Sequence, residues 1–424
     1  MNHFRLCALC GSLLAIGGCE IDTKVASVAE LHEAVRDARS GDVIAIARGT
    51  YRLRRPLRMM VPDVTLCGAT GDRDEVVLVG GGMNVPARAR EGIMIEADDV
   101  TIRDLTIRDF YKYGLHIRAE SDADRTVISN VKTVNIGERH VKGSRGQGDF
   151  WADGVVIERL HMLQTEKRKR RPGHSVSPDD YIGGIDAMAA RNWVVRDCLA
   201  EGIRGAGGGG NAAIFIWNGV ENVVIERNRI IRCCKGIALG NPSGPKLGTH
   251  HAVGGIIRNN FILRSRGSDE NNIGIELCNV RGVKVMHNTI YSEDASYARA
   301  VHLFDQPGEG LIEDVTVGYN IIRGRIADNT VSGLWGASAT RGWQAVGNVH
   351  GWKEPGGGKW QGTPVEAGWF VDAAAGDLHL TPQAAAAIGA ARLTPDVTDD
   401  IDRQVRPAGR APDAGADEYR PAGR

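Results

Sequence analysis

The residues with the clearest potential for chemistry are His116, Lys142 and Asp186. Each holds the third position of a four-residue alternating segment, in GLHI, HVKG and GIDA respectively. If these segments are adjacent strands of one sheet, the three side chains lie on one face within ~10 Å of each other. A base, a cation and a carboxylate on a rigid sheet can abstract a proton and stabilise the charge that develops. The alternative is an ordinary solvated surface of charged side chains.

Other polar and aromatic side chains flank these positions or recur at the equivalent position of later segments. Cations near His116 and Lys142 would help to hold a negatively charged substrate, and outward tryptophans would offer it flat apolar surfaces. A second histidine–carboxylate pair is expected to begin three steps beyond Asp186, or ~14 Å away. The residues expected to bind substrate are Arg118, Arg139, His140, Trp217, Glu276, His302 and Trp335.

These positions are related by an internal repeat. Nine octets, among them VTIRDLTI from Val100 and VVIERNRI from Val223, follow one another at steps of 26 to 38 residues. A period in this range indicates a stacked repeat architecture. Within each octet, apolar and polar residues alternate on both sides of a central break, which indicates two short strands. A tetrad with the same alternation precedes each octet, so one repeat supplies three short strands. The ninth tetrad is GLWG from Gly333, which contains Trp335. Winding into a coil would pair each strand with its equivalent one turn later, ~4.8 Å away.

The sixth octet position carries asparagine in five successive repeats. Stacked amides at one position of a coil can bond to one another and cap an inner turn. We therefore expect these asparagines to be structural and not catalytic. They are Asn228, Asn260, Asn288, Asn320 and Asn348.

The repeat resembles that of right-handed parallel β-helix proteins of the pectate-lyase-like superfamily. Residues 31–35, 40–42 and 47–51 are similar to the segment that in that superfamily forms a short helix over the open end of the coil and then the first strand. Residues 413–419 resemble the tail of many bacterial members. The resemblance implies an all-β fold, a single-stranded right-handed solenoid of about ten turns with an N-terminal helical cap.

The N-terminus has the pattern of an export signal. Arg5 precedes an apolar run over residues 6–16, which is too short to span a bilayer and suits a signal sequence. The run ends in Ile16-Gly17-Gly18-Cys19, which resembles the lipobox of bacterial lipoproteins, where the cysteine is lipidated. The alternative is an ordinary secretory signal. We expect a cell-envelope protein, lipid-anchored at Cys19, or a secreted one. The predicted organisation is a lipoprotein signal at 1–18, a cap and first strands at 19–60, the β-helix at 61–350, and a C-terminal cap and tail at 351–424.

The resemblance directs attention to the groove that follows the first strand of each turn, where outward residues of superfamily members meet a saccharide. The superfamily includes lyases, hydrolases, epimerases and non-catalytic adhesins, so fold alone selects no activity. Hydrolysis needs two carboxyls roughly 5–9.5 Å apart, whereas Asp186 and Glu276 are expected ~14 Å apart. A base and cations suit a lyase that takes a proton beside a uronic carboxylate. The alternative is a non-catalytic envelope lipoprotein that binds glycan.

Composition restricts the partners. The chain has 52 Lys and Arg against 52 Asp and Glu, a net charge of zero that argues against nucleic-acid binding. The expected partners are an acidic polysaccharide or other envelope glycan and, through the lipid anchor, the membrane; we expect a monomer. No cofactor is identified, and no cluster of aspartates resembles the calcium site of pectate lyases. Five cysteines lack metal-binding spacing and are expected to be small buried residues: Cys67, Cys198, Cys233, Cys234 and Cys278.

Overall fold

The chain winds into a coil of parallel strands. The computed structural model describes residues 21–86, 88–169, 180–241, 249–264, 273–296, 299–304, 312–328, 340–353 and 358–421. Each strand of the coil pairs in parallel with its equivalents in the neighbouring turns. The predicted right-handed parallel β-helix is confirmed. We call its three sides the first face, formed by the tetrads, and the second and third faces, formed by the two halves of the octets.

The first face carries the candidate site. In the described chain ten strands pair in succession on it, in agreement with the predicted ten or so turns. They are Leu57–Met59, Ile93–Ile95, Tyr113–Arg118, Arg139–Ser144, Gly183–Arg191, Ala212–Glu221, Lys235–Leu239, Ile275–Cys278, Val301–Phe304 and Ile326–Asp328. Short strands extend this face, namely Ala152–Asp153, Ala252–Val253, Val280–Arg281, Ile312–Glu313 and Thr340–Arg341.

The second and third faces share two strands, Thr101–Arg108 and Val127–Val134, which run through both. The other strands of the second face are Thr23–Val25, Val43–Ile46, Thr65–Gly68, Val156–Glu158, Val194–Arg196, Val224–Glu226, Ile256–Arg258, Lys284–Met286, Thr316–Gly318 and Gln344–Val346. Those of the third face are Gly49–Arg52, Val76–Val79, His161–Leu163, Leu199–Glu201, Arg229–Ile231, Phe261–Arg264, Thr289–Ser292, Ile321–Arg323 and Val349–Lys353.

A left-handed residue forms the bend between the second and third faces. It is the fifth residue of every octet, directly before the asparagine position, and it corresponds to the predicted central break. A single left-handed residue turns the chain sharply, and asparagine and aspartate tolerate this conformation better than most residues. The bend residues have φ between 50° and 60° and are Asp104, Asn130, Arg159, Asp197, Arg227, Asn259, His287, Tyr319 and Gly347.

The predicted asparagine ladder is present at this bend. The side-chain oxygen of Asn260 accepts from the backbone N–H of Asn228 at 2.9 Å and from its side-chain amide at 3.0 Å. The same pair of bonds joins Asn288 to Asn260 at 3.1 and 2.8 Å, and it continues to Asn320 and Asn348. Each rung of the ladder therefore ties two consecutive turns together inside the coil.

The interior of the coil is apolar and closely filled. The second and fourth tetrad positions point inward as predicted, for example Leu115 and Ile117, which are fully buried. Burial of such side chains supplies the main stabilisation of each turn. The five cysteines are buried, as predicted.

A helix packs against the N-terminal end of the coil. It spans Val28–Asp37, begins where the Ser27 hydroxyl accepts from the Glu30 N–H, and buries Leu31 and Val35. Its neighbours are the first strand of the first face and the first two strands of the second face, and this packing removes apolar surface at the end of the stack from water. In the described parts of the chain, no helix is long and apolar enough to cross a membrane.

The C-terminal part of the chain covers the outer side of the third face. It contains Trp360–Gly362, antiparallel to Val349–Lys353, and the hairpin of Phe370–Asp372 with Asp377–Leu380. Its apolar residues pack on outward residues of the third face in one cluster. The ion pair between Arg406 and Glu418 within this C-terminal part is fully buried.

One tetrad assignment is wrong. The strand that pairs with Val301–Phe304 on the first face is Ile326–Asp328, which places Ala327 beside His302. The predicted tetrad GLWG from Gly333, and Trp335 within it, lies outside the described residues and does not supply this strand. Ile326 follows the third-face strand Ile321–Arg323 after a short turn, so this coil turn is shorter than the repeat spacing indicated.

Candidate functional site

Strand register places the three central candidates on consecutive rungs of the first face. His116 pairs with Lys142, and Lys142 pairs with Asp186. Residues at paired positions of adjacent parallel strands lie about 4.8 Å apart on the same side of the sheet. The Lys142 ammonium contacts the Asp186 carboxylate directly, whereas His116 bonds to other partners, so the side chains form two assemblies that share this strip of the face.

The first assembly, which we call the histidine relay, consists of Glu91, His116, Ser144 and Glu120. The Nδ1 of His116 lies 2.8 Å from Glu91 Oε2, and its Nε2 lies 2.9 Å from Ser144 Oγ. Ser144 Oγ is also 3.0 Å from Glu120 Oε2. When His116 is neutral with Nδ1 donating to Glu91, Nε2 is the acceptor and takes its hydrogen bond from the Ser144 hydroxyl, which then does not donate to Glu120. The His116 side chain is 12% exposed, so the ring is held in place without being sealed.

Arg118 belongs to the edge of this relay. Its Nε lies 2.9 Å from Glu120 Oε1, and a second nitrogen contacts Glu96. Glu96 also binds Arg58, at 2.6 Å. Arg118 is on the same side as His116, as predicted, but its charge is shared between two carboxylates.

The second assembly, which we call the Asp186 cluster, consists of Asp186, Arg139, Lys142 and Trp217. Asp186 Oδ2 accepts from Arg139 Nε at 2.5 Å, and its Oδ1 accepts from Lys142 Nζ at 2.9 Å and from Trp217 Nε1 at 3.2 Å. Asp186 and Arg139 are buried, with side chains 5% and 1% exposed. Burial acts to raise the pKa of Asp186, but the charges of Lys142 and Arg139 outweigh it and hold that pKa far below its usual value. The cluster is thus a charged network at neutral pH.

Aromatic rings enclose the Asp186 cluster. The Arg139 guanidinium lies over the ring of Tyr181, 4.2 Å from its centre. Trp217 stacks on Phe215, with ring centres 5.7 Å apart, and meets the edge of His251. Trp217 is half-buried, so part of its side chain is in contact with solvent. A flat apolar surface beside charged groups suits a sugar ring, which has apolar faces and polar edges.

His140 does not belong to the site. It is fully buried, and its Nδ1 lies 2.8 Å from the hydroxyl of the interior residue Thr133. It occupies the first tetrad position, where neighbouring turns have Gly114 and Gly184, and the space beside these glycines is interior. Burial lowers the pKa of His140 to about 4. The prediction that it binds substrate is wrong, because alternation along the strand does not hold at this corner of the coil.

Glu276 and His302 form the expected second pair, further along the same face. They are register partners, and Glu276 Oε2 lies 3.6 Å from His302 Nδ1. Lys235 also binds Glu276, at 3.0 Å. Burial opposes it, but the Lys235 charge and the His302 hydrogen bond lower the pKa of Glu276 to about 2. Both partners are almost completely buried, which makes this pair a weaker candidate for ligand contact than His116.

Two predicted residues cannot be placed. Trp335 and Cys19 lie outside the described residues, so their predicted roles in substrate binding and lipidation stay predictions. Of the remaining predicted residues, the structure brings together His116, Lys142, Asp186, Arg118, Arg139 and Trp217.

Sequence reasoning missed three members of the histidine relay. Ser144 was detectable, because it lies two residues beyond Lys142 in the same strand and therefore on the same side. Glu91 precedes its tetrad, and Glu120 lies in the short 3-10 helix Ala119–Ser121. Neither position has a periodic signal, since both lie in turns between strands.

A possible metal-binding group lies away from the first face. Among the described residues, the ligand atoms of His379, Asp402 and Asp417 lie within 4.8 Å of one another. His379 Nε2 already bonds to Asp402 at 2.8 Å, and this bond is the main reason that the pKa of His379 is raised to about 9. Arg229 adds positive charge 3.6 Å from Asp402. The group therefore fits a charged contact between the C-terminal cover and the third face better than it fits a cation site.

Comparison with solved structures identifies the architecture. Pectate lyase Pel9A superposes with a TM-score of 0.58 at 13% identity, over 95% of this chain and 98% of that one. The chain has the parallel β-helix fold. The catalytic domain of Agl-KA gives a TM-score of 0.46 at 13% identity over 75% of this chain and 61% of that one. A polysaccharide lyase of Pseudopedobacter saltans gives 0.41 at 14% identity over 81% of both chains. No family model matches the β-helix chain, and no curated protein matches it.

Proposed function

We propose that the protein binds an acidic polysaccharide along the first face and cleaves it by β-elimination at a uronate residue. The observation that carries the proposal is the position of His116. Glu91 fixes the ring through Nδ1, and Nε2 bonds to Ser144. The ring lies one rung from Lys142. A base held in this way beside a cation matches the needs of proton abstraction next to a carboxylate.

The reaction follows from these groups. His116 Nε2 takes the proton from the carbon that bears the uronate carboxylate, and Lys142 next to it stabilises the negative charge on that carboxylate. The electron pair forms a carbon–carbon double bond and expels the glycosidic oxygen on the neighbouring carbon. The protonated His116, or the Ser144 hydroxyl that it contacts, then supplies a proton to the leaving oxygen. Glu91 acts as a positioning residue, because it touches the ring and not the substrate.

A neighbour in fold acts on a substrate of the class proposed here. Pel9A is a pectate lyase by title, and it matches almost the whole of this chain. At 13% identity the match supports fold alone, so the substrate class rests on the groups of the first face.

A second candidate function is binding without catalysis. It is favoured by the charge balance of the site. Lys142 and Arg139 are both paired with Asp186, and Arg118 is paired with Glu96 and Glu120. A cation that is already neutralised by a carboxylate attracts a uronate less strongly. Such a surface suits a binding protein that recognises the glycan by its shape and its hydrogen-bonding groups.

The two candidates are separated by incubating the protein with a panel of uronate polymers and following ultraviolet absorbance of the unsaturated product. We expect wild type to release this product and His116→Ala and Lys142→Ala each to lower turnover at least ~100-fold. Glu91→Gln is expected to lower kcat with KM unchanged. Glu276→Ala is the matched control, three rungs from Asp186, and should retain most activity. Binding of a polymer without any product, weakened by Lys142→Ala, would reject the enzyme and support the binding protein.

We also propose that the protein resides in the cell envelope, attached through lipid on Cys19. The support is the sequence of residues 6–19 and the position of the first described strand, Thr23–Val25, which follows within a few residues. The folded coil would then lie close to the membrane surface at its N-terminal end.

A further inference from the structure

A cavity at the N-terminal end of the coil is lined almost entirely by positive side chains. Its volume is 670 Å³, within the range of small-molecule sites. It lies where the start of the helix Val28–Asp37 meets the chain after the strand Gly49–Arg52 and the loop before Ile93–Ile95. The lining residues are Val28, His32, Arg52, Arg54, Arg55 and Arg88.

The charges of this cavity are not balanced by the protein. Among the described residues, none of the four arginines forms an ion pair, and the one hydrogen bond of their side chains joins Arg52 to the Gly80 carbonyl at 3.2 Å. Many arginines elsewhere in the coil are paired with carboxylates, for example Arg125 with Asp98 and Asp99. Burial and the charge of Arg55 lower the pKa of His32, and no carboxylate counteracts them.

Like charges gathered around one concave space repel one another unless an anion lies between them. A guanidinium presents parallel N–H groups that match the oxygens of phosphate in pairs. Four guanidinium groups around one space can serve the several oxygens of a phosphate, whereas a carboxylate has only two. The cavity therefore suits a phosphate better than a uronate.

We propose that this cavity is a binding site for a phosphate-bearing ligand, held by Arg52, Arg54, Arg55 and Arg88. The phosphate could belong to an anionic lipid headgroup or to a soluble polyphosphate. The position of the cavity is compatible with a lipid, because Val28 follows Cys19 by nine residues and so lies within about 32 Å of it even in an extended chain. The site is independent of the chemistry on the first face.

The test uses the full chain with Cys19→Ala in every sample, so that no attached lipid contributes. The two probes are sodium tripolyphosphate in calorimetric titration and phosphatidylcholine vesicles with and without phosphatidylglycerol in sedimentation. We expect Arg54→Gln/Arg55→Gln/Arg88→Gln to weaken binding at least about tenfold, because each lost charged hydrogen bond removes more than that factor.

A control variant separates a built site from a general charge effect. Arg281→Gln/Arg392→Gln/Arg410→Gln removes the same number of positive charges from exposed positions elsewhere on the chain. Its affinity for both probes should be within about twofold of that of wild type. Binding of vesicles but not tripolyphosphate assigns a lipid headgroup, and the reverse assigns a soluble phosphate. Absence of binding to either probe, or equal loss in both triple variants with unchanged melting, would overturn the proposal.

Discussion

Asp186 holds the centre of the first face together. It accepts from a guanidinium, an ammonium and an indole N–H at the same time, and it is almost completely buried. Burying Asp186, Arg139 or Lys142 alone would be unfavourable, since an isolated buried charge is costly, so the three charges stabilise one another. The carboxylate is therefore a structural centre as well as a neighbour of the proposed base.

This arrangement predicts an unequal response to two substitutions. Asp186→Asn leaves the buried Arg139 without a counter-charge and is expected to lower the free energy of unfolding by about 3–5 kcal/mol. Lys142→Met leaves the Asp186–Arg139 pair intact and should cost much less. Urea unfolding of both variants against wild type checks the prediction. Equal losses would show that Lys142, and not Arg139, is the main partner of Asp186.

His140 predicts a loss of stability in mild acid. Its pKa is about 4 in the folded protein because of burial, and about 6.5 when unfolded. As the pH falls through 6.5, the unfolded chain takes up the proton first, so this group contributes stability above pH 6.5 that is progressively lost toward pH 4. The loss is about 2 kcal/mol at pH 5.

Urea unfolding at pH 7.5 and pH 5 measures this effect. His140→Gln keeps a polar group near Thr133 but cannot titrate, so its stability should change less between the two pH values than that of wild type. The matched control is His32→Gln, since His32 is only partly buried. An unchanged pH dependence in His140→Gln would mean that other groups cause the acid lability.

At the scale of elements, the bend between the second and third faces combines two columns of residues. The left-handed residues turn the chain, and the asparagines directly after them satisfy the backbone groups that the turn exposes to the interior. Asn288, for example, donates its amide to the Ile257 carbonyl at 2.9 Å as well as to Asn320 at 3.0 Å. Buried backbone groups need such partners.

Asn288→Leu is therefore expected to lower the free energy of unfolding by a few kcal/mol, because Asn260 and the Ile257 carbonyl lose buried partners. Asn348→Leu is the control, since Asn348 lies at the end of the ladder and is less buried. In thermal or urea unfolding, Asn288→Leu should be less stable than Asn348→Leu. A melting temperature of Asn288→Leu equal to wild type would contradict the ladder's stabilising role.

Repeat spacing predicted the coil, the ladder and the row of outward side chains, because all three depend on strict periodicity. His116, Lys142 and Asp186 could be placed on consecutive rungs for that reason. The features that were missed break the period. Glu91 reaches the site from a turn, and His140 lies at a corner where its side chain points inward despite its place in the alternation. The strand Ile326–Asp328 follows a turn that is shorter than the repeat.

At the scale of the whole molecule, the two ends of the chain have different relations to the coil. The N-terminal helix lies across the end of the stack and borders the arginine-lined cavity. The C-terminal part lies along the side of the stack, on the third face. The first face is left between them as the surface available for a long ligand.

The proposed lipid attachment at Cys19 predicts a change in location. Cys19→Ala should release the protein from the membrane to the soluble fraction of the cells, because no lipid can be joined to the chain. Fractionation followed by immunodetection checks this, with Cys67→Ala, a buried cysteine of the coil, as the control. Unchanged membrane association of Cys19→Ala would contradict the lipobox assignment.

The cover on the third face also determines when the protein can finish folding. During synthesis, Phe261 and Leu263 leave the ribosome about 150 residues before Ala414 and Ala416, a delay of roughly 8–30 s at usual elongation rates. In that interval the turns of the coil can stack, but an apolar strip on their outer side stays in contact with water and with other nascent chains. Residues of the C-terminal part, from Val365 to Ala416, are thus the ones that close this strip. Chains that stop before them would be fully coiled and still prone to aggregate.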